Sequence, residues 1–191
     1  MKYRLVVIGA SLGGLNSLRG VLSALPGTFR PAVAIVQHRG ADADDTLQFL
    51  LQKECAHLVR EAEDKEAIVP GKIYLAPGGY HLMVEENHFV LSMEASVNYA
   101  QPSVDLLFKT AAEHFGSRVI GVVLTGTGRD GALGLAEIER CGGVALIESR
   151  RTAFAHEMPE AAIEATLHPI ELKLEEIGPY LVKLDQERET K

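Results

Sequence analysis

The chain has 191 residues, 47% of them hydrophobic and 24% charged, with a net charge of −7. That length suits one domain with a substantial core, and the composition is ordinary for a globular protein. The acidic balance excludes general binding to nucleic acid or to an anionic membrane, both of which need a basic surface.

The first apolar run, Leu5–Ile8, reads as a buried strand and reaches Gly9 too early for a secretion signal. No later stretch is long enough to span a bilayer, so a cytoplasmic protein without membrane insertion is expected. Leu15, Leu18, Leu22 and Leu25 then recur at helical spacing, and Pro26-Gly27 stops that helix. Val33–Val36 reads as a second strand, and the stretch from Asp44 to Glu54 as a helix with Leu47, Leu50 and Leu51 on one face. Lys72–Leu75 is a short strand, and Tyr80–Val84 with Phe89–Leu91 reads as a β-hairpin around Glu86-Asn87.

The second half repeats the alternation. Val104, Leu107, Phe108, Ala111, Ala112 and Phe115 form an apolar helical stripe that Ser103 is placed to cap. Val119–Thr125 is the most hydrophobic strand, followed by a helix to Arg140 and a strand at Val144–Ile147. Pro159 suits the first turn of a helix reaching Thr166, and Leu174–Val182 reads as the last helix, with a frayed tail from 185 to 191. The chain is expected to be one domain over 1–191, with no second domain ahead of a strand that starts so early.

Strands alternating with helices imply parallel βαβ units, hence an α/β fold with a doubly wound, mostly parallel sheet and a hairpin insertion. Ligands of such sheets sit beyond the C-terminal strand ends, where strand order reverses. Three polar loops end there, those of Ser11, His38 and Asp130.

Ser11 lies in Gly9-Ala10-Ser11-Leu12-Gly13-Gly14, between a strand and a helix. A serine on such a turn suits a nucleophile, a phosphate cradle or a helix N-cap. A dinucleotide site would want an acid at the end of the second strand, where Gln37-His38 stands instead. The Gly9-x-Ser11-x-Gly13 pattern matches a nucleophile elbow, although Ser, His, Asp is not the chain order of an α/β-hydrolase. Read alone, His38 is as readily a strand-end filler, and Asp130 a cap for the helix starting near Ala132. Together they supply nucleophile, base and orienting acid after three different strands.

His81 and His88 bracket the hairpin, and His57, His114, His156 and His168 are scattered. No metal-ligand spacing appears among them, so neither metal nor cofactor is expected. Cys55 and Cys141 stand in no redox-like pattern, which fits a reducing cytosol. Tyr99, Ser103 and Asp105 read as loop and cap residues.

Six motifs follow in order: Gly9 to Gly14, Val36-Gln37-His38, Ala76-Pro77-Gly78-Gly79 with His81-Leu82, Pro102 to Asp105, Leu124 to Ala132, and Met158-Pro159. Their combination resembles the catalytic domain of CheB-type chemotaxis receptor methylesterases over residues 4 to 183. The resemblance implies a triad of Ser11, His38 and Asp130 that hydrolyses glutamate methyl esters, and deamidates glutamines, on cytoplasmic helices of methylated chemoreceptors. Backbone N–H groups of Leu12 and Thr127 would then bind the oxyanion, and Arg39, Arg129 and Met158 would rim the substrate site. Family members commonly carry a receiver domain, so a separate regulatory protein is the second expected partner.

Leu12, Thr127, Arg39-Gly40 and Glu157 depart from the commonest pattern and bear on substrate choice and rate. Arg39 and Arg129 adjoin the base and the acid; they would make the mouth positive, or else be two solvated loop arginines. A binding module without turnover, and a serine esterase or amidase with another substrate, are the rival readings.

Overall fold

A computed structural model describes residues 2–97 and 99–187. In chain order the elements are β1 (Leu5–Ala10), α1 (Gly14–Ser23), β2 (Ala32–Gln37), α2 (Thr46–Glu54), β3 (Val59–Glu61) and β4 (Ile73–Leu75). The hairpin β5 (His81–Glu85) and β6 (His88–Ser92) follows, then α3 (Val104–Phe115), β7 (Val119–Val123) and α4 (Ala132–Arg140). The chain closes with β8 (Val144–Glu148), α5 (Glu157–Ala165), β9 (Ile170–Leu172) and α6 (Leu174–Gln186).

Seven strands form one sheet in the order β3-β4-β2-β1-β7-β8-β9, every pairing parallel. The hairpin is a separate antiparallel pair. From β1 the chain winds one way through β2 and β4, and from β7 it winds the other way through β8 and β9. The reversal falls between β1 and β7, which is where an open α/β sheet leaves a crevice.

Alternation along the strands divides the core in two, because successive side chains leave a strand on opposite faces. Leu5 and Val7 of β1 join Ala34, Val36, Phe108 and Leu135 on one face. Val6 and Ile8 join Ile35, Leu18, Leu22 and Leu181 on the other. With helices covering both faces, the central strands read as unbroken apolar runs.

Gly9 has a packing role. A Cβ there would lie 2.3 Å from Val104 Cγ1, and one on Gly131 would lie 2.6 Å from the same atom. Two glycines thus let the first turn of α3 come down onto the end of β1.

Several boundaries differ from the expected ones. The strands β3 and β9 were not expected; each is three residues at a sheet edge, too short to show a period. The helix expected from Asp44 starts at Thr46, because Asp44 Oδ1 accepts the Thr46 N–H at 3.0 Å. The final helix runs past Val182 to Gln186, so the tail does not fray from 185. Asp185 is buried and accepts Arg30 Nε at 3.1 Å. Residues 188–191 of the expected tail lie outside the described residues.

Gly9→Ala is expected to cost about 1–3 kcal/mol through overpacking against Val104. Urea melting of the single variant and of the double variant with Val104→Ala checks this, since the smaller partner restores most of the loss. Equal destabilisation in both variants would mean that Gly9 matters for another reason.

Candidate active site

Because β2, β1 and β7 are neighbours, their C-terminal loops meet at one edge of the sheet. The Ser11 turn is pinned on three sides. Its N–H donates to Thr125 C=O at 3.0 Å, and its C=O accepts the Gly14 N–H at 2.9 Å and Gln37 Nε2 at 2.9 Å. Gln37 Nε2 also donates to His38 C=O at 3.2 Å, so one amide ties the serine turn to the histidine turn. A Cβ on Gly14 would strike Gln37 Oε1 at 2.0 Å, which gives that glycine its purpose. The N-cap of α1 is Gly13, in the left-handed region at φ 83°, and no side chain caps the helix. Ser11 is therefore not an N-cap.

Ser11, His38 and Thr127 line one cavity of about 700 Å³, together with Leu12, Leu15, Arg39 and Leu47. Among the described residues no hydrogen bond joins Ser11 Oγ to the imidazole. His38 is 21% exposed, and its Nε2 lies 2.8 Å from Asp130 Oδ2. With Nε2–H donating to the carboxylate, the Nδ1 lone pair is left on the free edge of the ring.

Asp130 is 2% exposed and fully engaged. Oδ1 accepts Ser103 Oγ–H at 2.9 Å and Asp105 N–H at 3.0 Å, while Oδ2 also accepts Val104 N–H at 2.7 Å. It does not cap the helix that follows it, as the sequence suggested. It caps α3, and Asp105 in the first turn of α3 caps α4 by accepting the N–H groups of Gly131 (3.0 Å) and Gly134 (2.7 Å). The two acids exchange helices. Burial pushes the Asp130 carboxyl up, but hydrogen bonds from His38, Asp105 and Val104 outweigh it and leave the pKa below the usual carboxylate value. Asp105 goes the other way: burial lifts its pKa despite the Gly134 N–H, and the neighbouring Asp130 charge adds to the rise.

The N–H groups of Leu12 and Thr127 have no hydrogen-bond partner among the described residues, and both residues line the cavity. The three expected rim residues are placed differently. Arg39 lines the cavity, but its guanidinium is bound to Glu61 and donates to Ala76 C=O at 2.8 Å. Arg129 is exposed and lines a separate depression with Asp105, Leu133 and Ala165. Met158 is buried, so it is not at the rim; a Cβ on Gly126 would lie 2.2 Å from its sulfur and 2.8 Å from Ser11 Cβ. It packs against Gly126, whose missing side chain leaves room for both Met158 and Ser11. Among the described residues no group of three His, Cys, Asp or Glu side chains gathers as a metal site.

The CheB methylesterase family model matches residues 6–181. The chain belongs to the CheB methylesterase family. A Leptospira interrogans (serovar copenhageni) relative is 43% identical over 187 residues, 97% of each chain. The protein-glutamate methylesterase/protein-glutamine glutaminase of Moorella thermoacetica is 40% identical over 184 residues, 94% of this chain and 43% of that longer protein. The crystal structure of the Thermotoga maritima CheB methylesterase catalytic domain superposes with a TM-score of 0.90 at 33% identity, covering 95% of this chain and 98% of that one.

Behind the serine of this CheB-family chain lies a network that sequence reasoning missed. Thr125 hydroxyl accepts Ala155 N–H (2.8 Å) and has its single proton shared between Leu12 C=O (3.0 Å) and Ala155 C=O (3.1 Å). Thr125 N–H donates to Glu148 Oε2 at 2.9 Å, which also accepts Ser17 Oγ–H at 3.2 Å. Glu148 is wholly buried, and burial raises its pKa against those two hydrogen bonds. An acid ending an apolar strand was the available signal.

Because the folded-state pKa of Asp130 is lowered, its ionised form stabilises the fold above the unfolded value of about 3.9. That stability is lost as pH falls through the folded value. Urea midpoints from pH 6 to pH 2 should therefore fall more steeply for wild type than for Asp130→Ala. At pH 7 Asp130→Ala should cost about 2–4 kcal/mol, having orphaned two backbone donors and a hydroxyl.

Proposed function

We propose that the chain hydrolyses γ-methyl esters of glutamate, and amides of glutamine, on the cytoplasmic helices of chemoreceptors. Membership of the CheB methylesterase family supports the reaction class. The observation that carries the mechanism is the 2.8 Å contact of His38 with Asp130, on the same cavity as a serine held in a glycine-rich turn.

Ser11 Oγ attacks the ester carbonyl while its proton passes to His38 Nδ1. Asp130 holds the ring by accepting Nε2–H and stabilises the imidazolium. The oxyanion takes the unpaired N–H groups of Leu12 and Thr127, donors worth about 3–4 kcal/mol each in other enzymes. Collapse breaks the C–O bond to the methoxy group, which leaves as methanol with the proton from His38. Water then adds to the acyl-enzyme, gives a proton to His38, and releases the glutamate carboxyl and the free serine. An amide follows the same course and releases ammonia.

The partner is a methylated receptor fragment, with a separate regulatory protein as a second one. No described helix is long and apolar enough to cross a membrane.

Methanol release from methylated chemoreceptor cytoplasmic fragments tests the proposal. Ser11→Ala is expected to lower turnover by about 10⁴-fold while leaving the melting curve near that of wild type. Near-wild-type turnover by Ser11→Ala would sink the mechanism. Binding without turnover by the wild type would favour a recognition module instead.

A further inference from the structure

We propose that Phe154 and Leu12 form an apolar lip that seats the nonpolar stripe of an amphipathic helix, bringing an esterified glutamate one turn away to Ser11. This rests on the esterase function proposed for the Ser11 cavity. Scattered exposed apolar side chains are normal on a protein surface and need no explanation. These two differ in being large, adjacent to the nucleophile, and fixed by buried contacts.

Leu12 is 53% exposed and Phe154 76% exposed. They come from two different loops, the first after β1 and the second after β8. Phe154 Cβ, Cγ and Cδ1 lie 2.8, 3.1 and 3.1 Å from where a Cβ on Gly13 would stand, so one edge of its ring rests on the glycine turn while the rest is exposed. Next to each, Thr125 fastens the two loops together by its bonds to Leu12 C=O and to both polar groups of Ala155. The apolar surface continues inward, because Leu15 and Leu47 line the same cavity as Ser11. Leu12 belongs to lip and catalytic cavity alike, and Phe154 rests on Gly13, which lines that cavity.

Charge offers no substitute for this contact. Arg39 is the one Arg or Lys lining the cavity among the described residues, and its side chain is 9% exposed and engaged by Glu61. Asp44 lines the cavity, and the exposed Glu157 accepts Gly128 N–H at 2.8 Å beside Thr127. With Arg39 engaged, Asp44 and Glu157 offer a glutamate-bearing segment no attraction. An amphipathic helix fits, since residues four apart share a face and an apolar side chain lies one turn from the ester.

The test uses a helical peptide with one γ-methyl glutamate and a leucine four residues on, the same peptide with glutamine in place of that leucine, and p-nitrophenyl acetate. Phe154→Ser is expected to lower kcat/KM on the leucine peptide by about 10-fold, mainly through KM, the effect of losing one aromatic burial. Its rate on p-nitrophenyl acetate should stay within about two-fold of wild type, because only the docking contact is lost. Wild type should prefer the leucine peptide and Phe154→Ser should not. Phe154→Leu should retain most of the preference, and Leu167→Ser, an exposed leucine elsewhere, all of it. Equal handling of the leucine peptide by wild type and Phe154→Ser would overturn the lip alone. A parallel loss on p-nitrophenyl acetate would also overturn it, assigning Phe154 to loop geometry. A wild type active on the small ester and inert on both peptides would overturn the lip and the proposed substrate class together.

Discussion

The site depends on one buried carboxylate. Asp130 is nearly closed to solvent, yet it remains charged because four donors converge on its two oxygens. An ion in that position without such partners would neutralise itself or destabilise the fold. Two of the donors are the first backbone N–H groups of α3, which a helix leaves unpaired and slightly positive. The helix start therefore holds the charge, and the charge fixes the helix start. Val104, carrying one of those N–H groups, can reach this position only because Gly9 and Gly131 lack side chains. Backbone packing thus sets where the acid sits, and the acid sets where the imidazole points.

That chain of dependence fixes the tautomer. In the familiar serine triad the acid holds Nδ1 and the base is Nε2. Here the carboxylate takes Nε2, so in the proposed mechanism the nitrogen that serves Ser11 is Nδ1, the one nearer the backbone. A base with so short a reach requires the serine turn and the histidine turn to keep a constant spacing. Gln37 meets that need, since one amide nitrogen donates to the carbonyls of both Ser11 and His38. Such fixed geometry lowers the reorganisation a reaction must pay for.

The fold and the three loops were legible because they rest on local signals. Apolar runs separated by amphipathic stretches imply parallel strands and crossover helices, and three polar residues each end a strand. The neighbourhood of β2, β1 and β7 is non-local, so a sequence can only be compatible with it. The crossed caps show the limit well: Asp130 sits where it would cap α4, and nothing local says that α3 claims it instead. Arg39 and Arg129 adjoin the base and acid in sequence, but their side chains leave in different directions, one to Glu61 and one to another depression. Met158 carried a motif signal and turned out to be buried against Gly126 rather than at the rim. Thr125 and Glu148 carry their meaning through partners 23 to 131 residues away, and Phe154 through Gly13 at the far end of the chain, which no spacing rule reaches.

The acidic balance of the whole chain bears on how it can meet a glutamate-rich surface. At physiological salt, charges more than about 8 Å apart are largely screened, so the net charge of −7 matters little until contact. Asp44 lines the cavity of Ser11, and the exposed Glu157 is bonded to Gly128 beside Thr127. A methylated glutamate is the one side chain of such a surface that has lost its charge, so it enters an acidic mouth without repulsion. In the proposed reaction, hydrolysis restores the negative charge in place, at a mouth that carries those carboxylates and an apolar lip unable to solvate it. On the proposed function, a mouth carrying Asp44 and Glu157 favours the neutral ester over the acid produced, so electrostatics around the serine would discriminate between substrate and product.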